Sequence, residues 1–172
     1  EIDMLIHFFL VKRKPFFTHL RRQKNRITAF LWLMTAGLTW PAHADNAYFG
    51  VHGLSYHDSG SYNNANYGLY LVYKGITGGF YDNSFNRNTY YLGYAWEWDL
   101  PANSAIDSVS LMASLATGYY SAQTPYEYSP MGALSIKHSF DSQQGVRLAY
   151  LPIYGPGPAS YVLHLSYEYS LK

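Results

Sequence analysis

The chain has 172 residues, 48% of them hydrophobic, 19% aromatic and only 13% charged, with a formal net charge of +1 and no cysteine. That length supports one domain, and the absence of cysteine excludes both a disulfide framework and a thiolate zinc site. Soluble domains average about 25% charged residues, so the low charge content already sets this chain apart.

The near-zero charge conceals two unlike pieces. Residues 1–44 carry Lys12, Arg13, Lys14, Arg21, Arg22, Lys24 and Arg26 against only Glu1 and Asp3, whereas all 19 tyrosines fall in the remainder. The basic stretch ends at Arg26. The apolar run "ITAFLWLMTAGLTW" follows, and then Ala42-His43-Ala44 ahead of Asp45. Basic, apolar and small-x-small regions in that order predict a secretory leader over residues 1–44. The apolar run is short beside the roughly 20 residues of a membrane-spanning helix, so a single helical anchor is the weaker alternative.

From residue 45 onward nothing reads as a helix of useful length, and β-forming residues dominate. Eight strands are expected, at about 47–56, 67–74, 76–82, 89–98, 108–119, 129–138, 145–153 and 160–171. Their connections alternate between two sets. "HDSGSYNNAN", "NSFNRN", "SAQTPYEY" and "YGPGPA" fall at one end of an antiparallel meander, and "KG", "DLPANSAI" and "FDSQQ" at the other. In the fourth strand Tyr90, Leu92, Tyr94, Trp96 and Trp98 share one face, opposite Tyr91, Gly93, Ala95 and Glu97. In the eighth, Tyr161, Leu163, Leu165, Tyr167, Tyr169 and Leu171 lie opposite Val162, His164, Ser166, Glu168 and Ser170.

Large apolar residues on one face and small or polar ones on the other suit a barrel in lipid, greasy outside and partly polar within. Strands of about 9–11 residues span a bilayer when tilted, and closure leaves no unpaired edge in the hydrocarbon. The expected fold is all-β: an eight-stranded antiparallel transmembrane β-barrel of the bacterial outer membrane, over residues 45–172. Periodicity does not say which face is inside, so a soluble β-sandwich or lipocalin-like barrel is the competing reading.

Chemistry has few places to sit. His52, His57, His138 and His164 show no close metal-ligand spacing, so no metal or other cofactor is expected. No nucleophile elbow, phosphate loop or basic patch is present, and residues 45–172 are net negative, which argues against a nucleic-acid partner. The expected topology brings His52, His57 and Asp58, on or below the first outer loop, to the same rim as Asn83 and Ser84 in the second. A serine hydroxyl beside a histidine base can perform acyl transfer, although Ser and Asn are also ordinary turn residues.

The segment "YDNSFNRNTYYLGYAWEW" resembles the corresponding segment of the outer-membrane lipid A palmitoyltransferases, the PagP-like barrels. There an Asp-Ser pair in a loop is followed by an aromatic residue and an Asn, and then by a strand ending in Gly-Tyr-Gly-Trp-Glu. Here Asn83-Ser84-Phe85-Asn86 precede Gly93-Tyr94-Ala95-Trp96-Glu97. His52 followed six residues later by Asp58, Pro130 ahead of a small-residue strand, and Tyr150-Leu151-Pro152 extend the likeness across roughly residues 48–171.

The resemblance implies an eight-stranded barrel that moves an acyl chain from a phospholipid to lipid A. Its partners would be outer-membrane phospholipid and lipopolysaccharide, and a monomer would suffice. It implies a catalytic set of His52, Asn83 and Ser84, with lateral lipid access at Pro130 and Pro152, where proline removes a ladder donor. Asn83 stands where the family has Asp, which leaves Asp82 and Asp58 as alternative carboxylates. If His52 faces inward, Tyr48, Leu54 and Tyr56 share its face; otherwise His57 is the better base. A non-catalytic barrel acting through its surface loops, as an exclusion or structural envelope protein, is the second functional expectation.

Overall fold

The computed structural model describes residues 47–119, 128–153 and 158–171. The leader expected over residues 1–44 lies outside them. Eight strands follow in chain order: β1 (Ala47–His57), β2 (Ala65–Tyr73), β3 (Ile76–Asp82), β4 (Asn88–Asp99), β5 (Ser108–Thr117), β6 (Tyr128–Ser139), β7 (Gln144–Pro152) and β8 (Tyr161–Leu171). Each pairs antiparallel with the next, and β8 closes on β1 to complete a barrel. Ala47 meets Leu171 at one end of that closing seam, and His57 meets Val162 at the other.

Local sequence explains the meander. Lys74 and Gly75 both hold positive φ, at 49° and 81°. That is the two-residue hairpin turn whose twist matches its flanking strands, and it selects Gly at the second position. The alternation seen in sequence becomes inside and outside. On β2, Asn66, Tyr70 and Val72 are buried while Tyr67, Leu69, Leu71 and Tyr73 are exposed. On β4, Tyr91, Ala95 and Glu97 are buried, and Leu92 is 67% exposed. Trp96 departs from the expected outer band. It shares the parity of Leu92 yet is 2% exposed, with Tyr94 tilted against it at 5.0 Å.

Strand β1 does not keep one parity. Its pairing with β8 steps from His52↔Ser166 to Ser55↔His164, and its pairing with β2 from His52↔Gly68 to Leu54↔Ala65. The first step opposes two residues of β1, Gly53 and Leu54, to one of β8, Leu165, a β-bulge that reverses which side chains face inward. Gly53 sits in it, where a Cβ would come to 3.0 Å from the Leu165 carbonyl oxygen. The expectation that Leu54 and Tyr56 share the face of His52 is therefore corrected. Both are exposed, whereas Tyr48 and His57 are buried.

The half of the barrel nearer Ala47 and Leu171 is filled with charge. Arg147 on β7 donates to Glu168 on β8 at 2.5 Å and to Glu97 on β4 at 2.8 Å. It also bonds Ser110 on β5 and Ser135 on β6. Lys137 reaches Glu168 at 3.3 Å, and Tyr70 donates to the same carboxylate at 2.6 Å. Tyr48 and Ser108 donate to Glu97. Two cations and two carboxylates thus balance, with every carboxylate oxygen bonded, as burial of charge requires. Above this plug lies a cavity of about 120 Å³.

Candidate functional site

The loop joining β3 to β4 holds its shape through Asn83. Its Oδ1 accepts from the backbone N–H groups of Phe85 and Arg87, at 2.9 and 3.1 Å. Its Nδ2 donates to Thr89 Oγ1 and the Gly118 carbonyl, both at 3.0 Å. The side chain is fully buried and uses all of its capacity. Asn86 closes the turn with φ of 57°, a left-handed conformation that asparagine tolerates. The loop's own amides therefore fold the loop, and Ser84 is presented at its shoulder.

The bulge in β1 delivers the partner. His57 Nε2 lies 2.8 Å from Ser84 Oγ, and His57 Nδ1 lies 2.8 Å from Asn64 Oδ1. An amide oxygen only accepts, so Nδ1 carries a proton, and Nε2 is the ring nitrogen turned toward the serine hydroxyl. Tyr62 stacks on the imidazole at 4.6 Å, and Phe85 packs edge-on against Tyr62 at 5.8 Å. The Asn63 N–H donates to the Ser84 carbonyl at 3.1 Å, tying the two loops together. Serine, histidine and an orienting acceptor in sequence are the parts of an acyl-transfer relay.

His52 lies elsewhere. Its Nδ1 is 2.9 Å from His164 Nε2, and its Nε2 is 3.2 Å from the Tyr91 hydroxyl. His164 in turn meets Ser55 Oγ at 2.9 Å. His52 belongs to this chain of hydrogen bonds across the cavity, walled by the Tyr70 and Tyr81 rings. Of the two histidines weighed for the base, His57 is the one that bonds Ser84.

The alternative carboxylates stand apart from the relay. Asp58 accepts at Oδ1 from the backbone N–H groups of Ser160 and Tyr161, at 2.8 and 3.2 Å, clasping the first loop to the start of β8. Desolvation opposes its ionisation, but those two donors outweigh it and hold its carboxyl below the usual range. Asp82 is exposed at the end of β3, and its carbonyl accepts from Asn66.

Pro130 and Pro152 lie on the two lips of a parted seam. Strands β6 and β7 pair from Ser139↔Gly145 to Leu134↔Tyr150 and no further. Residues 128–133 of β6 and 151–152 of β7 thus have no partner across that seam among the described residues. Met131 and Ala133 on one lip, and Leu151 on the other, line the cavity that Ser84 also borders. Pro130 itself remains in register with Leu115 on β5.

Sequence reasoning missed Asn64, since one asparagine in "YNNAN" looks like any other turn residue. Only the pairing of the first loop against β1 singles it out. No group of metal-binding side chains occurs among the described residues. No family model matches the chain, and no curated protein matches it.

Proposed function

We propose that this protein is an outer-membrane acyltransferase that moves an acyl chain from a phospholipid to lipid A, with Ser84 as nucleophile, His57 as base and Asn64 as the group that orients the base. The observation that carries the reading is the Ser84–His57–Asn64 relay at the rim of a cavity whose wall parts between β6 and β7. Membrane insertion is part of the proposal. It rests on the outward aromatic and aliphatic band, with Tyr67, Tyr90 and Leu92 among its most exposed members, on closure, and on the leader expected over residues 1–44.

In the first half-reaction Ser84 Oγ attacks the ester carbonyl while its proton passes to His57 Nε2. The ester C–O bond breaks, the departing alkoxide takes that proton, and the acyl group stays on Ser84. In the second, His57 Nε2 accepts the proton of the acceptor hydroxyl, whose oxygen takes the acyl group; the bond to Ser84 Oγ breaks and His57 returns the proton to that oxygen. A hydrogen-bonded Asn64 keeps the tautomer correct but lacks the charge with which a carboxylate stabilises imidazolium. The parted seam at Pro130 and Pro152 would admit the chain sideways from the lipid.

The test is mass spectrometry of lipid A from cells producing the wild type or Ser84→Ala, with both barrels checked for insertion. An acyl-sized mass gain present in the first and absent from the second is expected. No gain in either would overturn the proposal. It would favour a non-catalytic surface barrel, a reading supported by the ionic plug filling half the interior.

A further inference from the structure

Among the described residues, two buried side-chain polar atoms have no hydrogen-bond partner: Trp96 Nε1 and Asn66 Oδ1. Trp96 has the outward parity of Leu92, away from the cavity. Asn66 lines the cavity and is 2% exposed. Its orientation is fixed, because Nδ2 donates to the Asp82 carbonyl at 2.8 Å, and only an amide N–H can make that bond. The remaining group is therefore an acceptor, on a residue that lines the cavity.

The neighbouring polar groups do not supply its donor. Ser55, His164, His52 and Tyr91 satisfy one another in their own chain. Ser84 is engaged with His57. The position of Asn66 is informative as well. Gly68 pairs with Tyr81, so continuing the antiparallel register sets Asn66 level with residue 83, beside the nucleophile. An unpaired buried acceptor is costly, and sites built to bond a substrate hydroxyl keep such a group for it.

We infer that the cavity takes an acyl chain bearing a hydroxyl close to its ester carbonyl, with Asn66 Oδ1 as the hydroxyl's acceptor. The inference rests on the acyl-transfer reading, and it narrows the substrate class to hydroxylated chains. A hydroxyl two carbons from the ester carbonyl stands next to Asn66 when that carbonyl stands next to Ser84. A plain chain fills the same space but leaves Oδ1 unpaired.

The full chain in detergent micelles is titrated with two phospholipids that differ only in a 3-hydroxydecanoyl or a decanoyl chain. Binding is followed through the side-chain amide resonance of Asn66 and through intrinsic fluorescence. The hydroxylated lipid is expected to bind about 10–100-fold more tightly, the range for one buried unpaired group. The preference should persist in Ser84→Ala and vanish in Asn66→Ala. Equal affinity of the two lipids for the wild type would overturn the inference without any variant having to fold, and so would a preference that survives Asn66→Ala. Lipid A modification without hydroxyl preference would refute this inference alone. Hydroxyl preference without lipid A modification would refute the transfer reading alone.

Discussion

Asn83 shows how a single residue type decides between two roles. The resemblance placed it in the catalytic set, where the family it resembles has Asp. In the barrel its amide is a loop keystone that needs both its donors, for Thr89 Oγ1 and the Gly118 carbonyl. A carboxylate cannot donate, so Asn83→Asp would leave two acceptors unpaired and bury a charge. We expect it to destabilise the barrel by about 1–3 kcal/mol, read as a lower urea midpoint, rather than to improve catalysis. In the proposed relay the orienting role falls instead to Asn64, which nothing in its sequence neighbourhood distinguishes. Ser84 was legible because a motif surrounds it. Asn64 was not, because its role exists only once the first loop folds back on β1.

At the scale of elements, the strands and most of their boundaries were legible, since alternation and turn residues are local properties. The face of His57 was not. A bulge is an event of register between three strands, and Gly53 alone does not announce it. The consequence is that β1 carries two inward histidines of opposite sequence parity, one for the cavity and one for the rim. Gly53→Val would set a Cβ 3.0 Å from the Leu165 carbonyl oxygen and disfavour the bulge, and a regular strand of unchanged length turns His57 outward. We expect such a variant still to migrate as a heat-modifiable barrel on gels while losing transfer activity to the level of Ser84→Ala. Activity within threefold of wild type would show that the bulge does not position the base.

Across the whole molecule, the interior is divided between a plug that holds the barrel and a cavity that serves the site. The plug draws on β1, β4, β5, β6, β7 and β8 through Arg147, Glu97, Glu168 and their partners. Removing one member strands the others, so Arg147→Met should cost about 3–5 kcal/mol, measured by denaturant titration of the micellar protein. Inward Glu97 and Glu168 could be read from the alternation. That they meet on Arg147 could not, because β4 is separated from β7 by two strands and its Glu97 reaches Arg147 only across the interior of the closed barrel.

In the proposed transfer His57, not His52, serves Ser84. Rates of acyl transfer from phospholipid to lipid A in mixed micelles, compared between His57→Ala and His52→Ala, test it most directly. A fall of about 10²–10⁴-fold is expected for His57→Ala, the usual worth of a general base, and less than about tenfold for His52→Ala, whose bonds run to His164 and Tyr91. The opposite ordering, with His52→Ala inactive and His57→Ala close to wild type, would contradict it.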